Sequence, residues 1–155
     1  MNKLLVLSIA AVLVFVALVF IPIPGYYNVK VVTTVSQTCL LACQYAVTSV
    51  NPTVNGQATV IDIWGWFGIT YTIAPPCINC QYKLVATLFG TGPSSGASAS
   101  ASESKFVSDL VNAGTTDTVT LSIAYVQTGN YGVAIDLYQN GVDVAHGSGN
   151  ICVGC

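Results

Sequence analysis

The sequence predicts an all-β, antiparallel sandwich preceded by one hydrophobic N-terminal helix, and three observations support this prediction. Residues 4–23 form an almost unbroken apolar run. From Gly25 onward, apolar and polar residues alternate with the period of two that half-buried strands show. Asn-Gly pairs, which favour tight turns, lie between alternating segments. With 155 residues, the chain has room for one domain behind this helix.

Residues 1–24 are predicted to be a signal or anchor helix. The apolar run follows Lys3 and ends where Pro22, Pro24 and Gly25 stop a helix. Residues 4–23 are long enough to cross nearly the whole of a bilayer about 30 Å thick, and no A-x-A cleavage site ends the run. A retained transmembrane helix is favoured over a cleaved signal peptide, and both remain open. Either one implies a cell-surface location, membrane-anchored or secreted, with the membrane as a partner through residues 4–23.

Residues 25–38 are predicted to be a linking or donor strand. Alternate side chains share one face, Tyr27, Val29, Val31, Thr33 and Val35, and its apolar members Tyr27, Val29, Val31 and Val35 are the candidates for strand donation. Such a strand completes a sheet either in its own subunit or in a neighbour, because main-chain pairing and alternate pockets can hold it in an open sheet edge.

Residues 39–155 are predicted to be the β-sandwich domain. Alternation and turn signals indicate strands over 44–50, 58–63, 67–73, 82–89, 118–125, 131–138 and 142–146. Tight turns are expected at Asn55-Gly56 and Asn140-Gly141, a loop over 90–104, a helical turn over 104–111, and an aromatic bulge over 64–67. The predicted core comprises Ile61, Ile63, Ile69, Leu84, Ala86, Leu121, Ile123, Val133, Ile135 and Leu137.

The charge pattern excludes one class of partner and favours another. Charged residues make up 6% of the chain, with four lysines and no arginine, so the clusters that bind nucleic-acid phosphates are missing. A net charge of −2 gives little self-repulsion. A homo-oligomer or filament is therefore expected. The hydroxyl groups of the 90–104 loop could carry O-linked glycans, although a plain flexible connection is favoured for this loop.

The six cysteines fall into three close pairs: Cys39/Cys43, Cys77/Cys80 and Cys152/Cys155. Disulfides are favoured because an even number of cysteines follows an export segment. The second and third pairs also have the spacing of a zinc or iron–sulfur site or of a redox motif, and these alternatives stay open. At least one disulfide between distant pairs is expected, because short loops remove little unfolded-state entropy. No metal and no cofactor are predicted.

Catalysis is not predicted. Triad chemistry needs a histidine beside a nucleophile and an orienting acid, and the sole histidine, His146, follows Ala145 and precedes a glycine at the end of a predicted strand. The carboxylates are scattered singly, although Asp136 and Asp143 can approach each other across a hairpin. The chain is therefore expected not to be an enzyme.

Residues 122–146 resemble the last two strands of immunoglobulin-like and fibronectin type III-like domains. The match rests on Gly129-Asn130-Tyr131, a glycine-containing corner followed by a tyrosine, and on the alternating residues that lead to the Asn140-Gly141 hairpin. The resemblance implies an immunoglobulin-like sandwich in which the Tyr131 hydroxyl caps nearby backbone.

In composition, the chain also resembles the immunoglobulin-like pilins and thread subunits of archaea, some of which lend an N-terminal strand to the next subunit. It departs from type IV-like pilins because no Lys/Arg-Gly processing site follows Lys3. The resemblance implies a structural subunit of a cell-surface filament or sheath that is built by strand donation.

Two other functional classes remain alternatives to a filament subunit. A membrane-anchored adhesion or carbohydrate-binding module would use an aromatic patch of Trp64, Trp66, Phe67 and Tyr71. An anchored metal or redox protein would use the cysteines.

Overall fold

The computed structural model describes residues 3–62, 82–91, 101–107 and 115–155. The described chain is mostly β-structure behind one N-terminal helix. The elements are α1 (Lys3–Val19), β1 (Pro22–Cys39), β2 (Cys43–Thr59), β3 (Tyr82–Gly90), β4 (Ala101–Val107), β5 (Thr115–Gln127), β6 (Gly129–Gln139) and β7 (Val142–Val153).

Helix α1 is shorter than the apolar run that predicts it. The helix has 17 residues and closes in a turn in which the Ile21 N–H donates to the Leu18 carbonyl, and Pro22 then begins β1. Among the helices of the described residues, none has both the length and the apolar character needed to span a membrane. The helix predicted over residues 4–23 ends at Val19, because residues 22–23 belong to β1, in which Pro22 pairs with Thr59.

The seven strands of the described residues form two antiparallel sheets, which confirms the predicted β-sandwich. One sheet has the order β2-β1-β5 and the other the order β4-β3-β6-β7. Every pairing is antiparallel. The inner faces of β1, β3, β5 and β6 bury alternate apolar side chains in one core, as expected when both sheets turn one face inward.

The predicted core agrees with the structure where strands of both sheets face each other. These residues are buried: Leu84, Ala86, Leu121, Ile123, Val133, Ile135 and Leu137. Ile61 is 45% exposed, so its prediction as a core residue is wrong. The reason is local, because β2 ends at Thr59 and residues 60–62 are helical. Ile63 and Ile69 lie outside the described residues.

The two Asn-Gly pairs have different outcomes. Asn140 and Gly141 have φ angles of 50° and 83° and connect β6 to β7 in a two-residue hairpin, so this predicted turn is confirmed. Asn55-Gly56 instead lies inside β2, where the register shifts against β1. Gly56 takes a φ of 95° there, so the pair forms a bulge and joins two predicted strands into one.

Strand β4 replaces part of the predicted loop over 90–104 and part of the predicted helical turn over 104–111. It pairs with β3 from Ala101 to Val107. Low apolar content predicted a loop, but pairing with β3 supplies backbone hydrogen bonds that the sequence pattern alone does not reveal. The predicted strand over 67–73 and the aromatic bulge over 64–67 lie outside the described residues.

The sheets approach each other closely where β7 passes β2. A Cβ atom added to Gly147 would lie 2.6 Å from Cγ1 of Val47, and one added to Gly149 would lie 3.3 Å from the Val50 carbonyl oxygen. The two glycines therefore allow an approach that larger residues would prevent.

Candidate assembly surfaces

Strand β1 lies in the centre of its own sheet. It pairs with β2 on one side and with β5 on the other. Three of the residues predicted to fill a neighbour's sheet are buried within this chain: Val29, Val31 and Val35. Tyr27 is partly buried against the same core. Of the two outcomes predicted for this strand, completion of its own sheet is the one the structure contains.

Two polar residues also lie on the buried face of β1. Thr33 is fully buried, and its hydroxyl donates to the Ser49 carbonyl at 2.8 Å. Gln37 is also buried, and its Oε1 accepts a hydrogen bond from the Tyr82 hydroxyl at 3.4 Å. The sequence prediction missed Gln37 because its residue type favours solvent. The alternation from Val29 through Val35 was the signal that places it inward.

Tyr82 links the end of β1 to the other sheet. Its hydroxyl accepts a hydrogen bond from Gln139 at 3.4 Å and lies 3.5 Å from the Tyr45 hydroxyl. Burial raises the pKa of Tyr82 to about 12, and the hydrogen bond and charge of Tyr45 add to the effect. Tyr82 is therefore neutral at physiological pH and serves as a buried hydrogen-bonding group.

The β1–β2 hairpin presents an apolar tip. Cys39 and Cys43 face each other across the two strands and form a disulfide. The bridge closes over Leu40-Leu41-Ala42, here called the hairpin tip. Leu40 and Leu41 are 95% and 102% exposed. The disulfide therefore closes a turn whose two leucine side chains lie in solvent.

The opposite end of the sandwich, where β1 begins, is here called the N-terminal pole. The Thr128 N–H donates to the Gly25 carbonyl at 2.9 Å there. A second disulfide, Cys152–Cys155, lies at the same pole because Cys152 pairs with Asn130 near the start of β6. Both described disulfides are local. The expected disulfide between distant pairs is therefore not formed by Cys39, Cys43, Cys152 or Cys155, while Cys77 and Cys80 lie outside the described residues.

The N-terminal pole carries a shallow, open depression of about 530 Å³, here called the pole groove. Its lining residues come from the end of β3 and from β6 and β7, and none is charged: Thr91, Asn130, Tyr131, Asn150, Ile151 and Cys152. The Thr91 N–H fixes one wall by donating to the Asn130 carbonyl at 2.8 Å.

Tyr131 supports this pole from inside. Its side chain is 3% exposed, and its hydroxyl donates to the Gln127 carbonyl at 2.9 Å. The predicted backbone cap is confirmed. Burial raises the pKa of Tyr131, so the hydroxyl keeps its proton and remains a donor.

Aromatic stacking also fixes β1 at the N-terminal pole. Tyr26 stacks on Tyr125 with ring centroids 4.0 Å apart and planes 9° from parallel. Tyr125 has a φ of 64° at a register irregularity between β1 and β5. The positive φ is unusual for a tyrosine and turns its ring onto Tyr26.

Asp62 holds the end of β2 against β1. Its Oδ2 accepts hydrogen bonds from the Thr59 N–H at 2.7 Å, the Thr59 hydroxyl at 2.9 Å and the Asn28 amide at 3.2 Å. Partial burial raises the pKa of Asp62, but the hydrogen bonds together outweigh it and lower the pKa below its ordinary value of 3.8.

Helix α1 exposes apolar surface around its circumference. None of its residues is buried, and side chains such as Leu4, Leu7 and Phe15 are 85%, 75% and 67% exposed. An all-round apolar helix needs an apolar environment to be stable. Within the described residues, its own chain does not supply one.

The other predicted chemistry does not converge in the described residues. Asp136 pairs with His146 across the β6–β7 hairpin. Burial raises the pKa of Asp136, Asp143 raises it further, and His146 acts in the opposite direction. No group of three or more metal-ligating side chains occurs among residues that the structure describes. The proposed aromatic patch of Trp64, Trp66, Phe67 and Tyr71 lies outside them.

The described residues form an antiparallel β-sandwich with a disulfide-closed hairpin at one end and an apolar helix at the other. In comparisons of the chain with protein families, curated proteins and solved structures, none matched.

Proposed function

We propose that this protein is a structural subunit of a cell-surface filament or sheath. One observation carries the proposal: apolar surface lies exposed at both ends of β1, on α1 before the strand and on the hairpin tip after it. Burial of apolar surface drives most protein association. When the two apolar ends of one subunit differ, copies associate head to tail. Such contacts produce an open filament when the rotation from one subunit to the next does not close a ring.

The chemistry of the remaining surface supports an extracellular setting. Few charges and a net charge of −2 leave weak repulsion between copies. Disulfides persist in oxidising compartments, and two are formed in the described residues. The capped corner at Tyr131 supports an immunoglobulin-like form of the sandwich.

Strand donation is a second mode of assembly for the same function. Exchange of β1 between copies would keep its buried contacts but make them between subunits. The Cys39–Cys43 disulfide opposes such an exchange, because it holds β1 beside β2 at the hinge where the strands would separate. We therefore place the main contacts on the exposed ends and treat exchange as the competing mechanism.

Electron microscopy tests the proposal. The full chain, recovered oxidised from the surface of producing cells, is expected to form elongated particles whose length increases with protein concentration. Labelled antibodies against the sandwich should decorate extended structures on intact cells. A chain that stays monomeric at every concentration, with diffuse label on cells, would refute the proposal.

A further inference from the structure

We infer that the outer face of the β4-β3-β6-β7 sheet binds neutral glycans built of pyranose sugars at the N-terminal pole. The site consists of the Phe89 ring and the adjoining pole groove, and it is here called the glycan face. The inference goes beyond the proposed function, because a filament subunit needs no such ligand. Repetition of the glycan face along a filament would raise the avidity for a polymeric glycan.

Phe89 forms an aromatic platform on this face. It pairs with Gly132 across β3 and β6, and its ring lies over Gly132, where an added Cβ atom would collide with the ring. Glycine therefore allows the ring to pack against the sheet. The side chain is 46% exposed, so part of the ring is open to solvent. The face of an aromatic ring carries partial negative charge and attracts the C–H groups on one side of a sugar ring.

The pole groove supplies polar groups beside this platform. Asn150 pairs with Gly132, so Phe89, Gly132 and Asn150 form one row across three strands. Thr91 and Asn130 lie in the next row, joined by the hydrogen bond from the Thr91 N–H to the Asn130 carbonyl. Both asparagines line the groove and are exposed. Each side-chain amide offers a donor and an acceptor, which suits the neighbouring hydroxyl groups of a sugar.

The shape and charge of the groove select the class of ligand. The groove is shallow and open, so it suits an extended chain that lies on the sheet, whereas small molecules favour enclosed, mostly apolar pockets. None of its lining residues is charged. Ligands that carry phosphate groups depend on lysine and arginine for affinity, but a neutral glycan does not. A single platform beside uncharged amides therefore favours a neutral sugar chain.

Titration of the full chain with soluble hexasaccharides tests the site. The probes are linear hexasaccharides of glucose, of N-acetylglucosamine and of mannose, added to the chain in a detergent without a sugar head group. At least one is expected to bind with a millimolar or lower dissociation constant, measured by calorimetry. In NMR spectra, the ring current of Phe89 should shift the C–H protons of the stacked sugar upfield.

Three variants assign the binding to the glycan face. Phe89→Leu removes the ring and is expected to lower the affinity by about tenfold and to abolish the upfield shift. Phe89→Tyr keeps the ring and should retain both. Asn150→Ala removes one amide and should lower the affinity by about fivefold. Asn51→Ala is the matched control, because Asn51 is also exposed but lies on β2 in the other sheet, and its affinity should equal that of the wild type.

Other outcomes overturn the inference in distinguishable ways. It is refuted if none of the three hexasaccharides binds the wild-type chain, or if Phe89→Leu and Asn150→Ala bind as tightly as the wild type. If Phe89→Leu does not fold, Asn150→Ala and Phe89→Tyr still decide. Binding of a polyproline peptide in place of the sugars, lost in Phe89→Leu, would assign the ring to a proline-rich partner. Affinity is measured per chain, so a failure to form filaments would refute the proposed function and leave the glycan face standing.

Discussion

Substitution of Val31 by aspartate tests whether β1 completes the sheet of its own subunit. Val31 is fully buried and lies in register with Pro52 on β2 and Leu121 on β5. Loss of the buried valine side chain costs about 1.5–3 kcal/mol, and an unpaired buried carboxylate adds several kcal/mol. The sum is comparable to the about 5–15 kcal/mol that stabilises a typical domain. We therefore expect the Val31→Asp variant to be largely unfolded in the absence of other subunits.

Urea denaturation followed by circular dichroism measures this effect. Val32→Asp is the control, because Val32 is the next residue on β1, faces the opposite side of the sheet and is only partly buried. The free energy of unfolding of the Val32→Asp variant should lie within about 1 kcal/mol of the wild-type value, as is usual for surface substitutions. A Val31→Asp monomer of near wild-type stability would refute the reasoning. If that monomer also failed to assemble, β1 would be exchanged between subunits.

Three further changes probe the rest of the fold. Tyr131→Phe removes the hydroxyl that donates to Gln127 and should cost about 1 kcal/mol, measured by chemical denaturation; an unchanged midpoint would contradict the cap. Gly147→Val places side-chain atoms against Val47 and should cost about 1–3 kcal/mol, seen as a lower melting temperature. Because the pKa of Asp62 is lowered in the folded chain, the stability that its carboxylate contributes is complete above the ordinary pKa of 3.8 and is lost as the pH falls through the lowered pKa. The Asp62→Asn variant should therefore lose less stability than the wild type between pH 6 and pH 2, measured by chemical denaturation. An identical loss of stability in both proteins would argue against these hydrogen bonds.

The hairpin tip and the pole groove were not predicted from the sequence. The pair Leu40-Leu41 continues an apolar pattern and gives no sign that both side chains face solvent. Their exposure follows from the pairing of Cys39 with Cys43, which turns the chain at this point. The groove is lined by Thr91 and by residues of β6 and β7, which only strand pairing brings together.

The sequence by itself determined the local features: the alternation that buries one face of β1 and of the later strands, the hairpin at Asn140-Gly141 and the capping hydroxyl of Tyr131. Each depends on neighbouring residues or on backbone angles that one residue type favours. Only the tertiary structure decided which strands flank β1, which cysteines join and whether Asn55-Gly56 turns the chain or forms a bulge within a strand. These outcomes depend on pairing between distant segments, because a strand's free edge accepts any partner whose register buries the correct face.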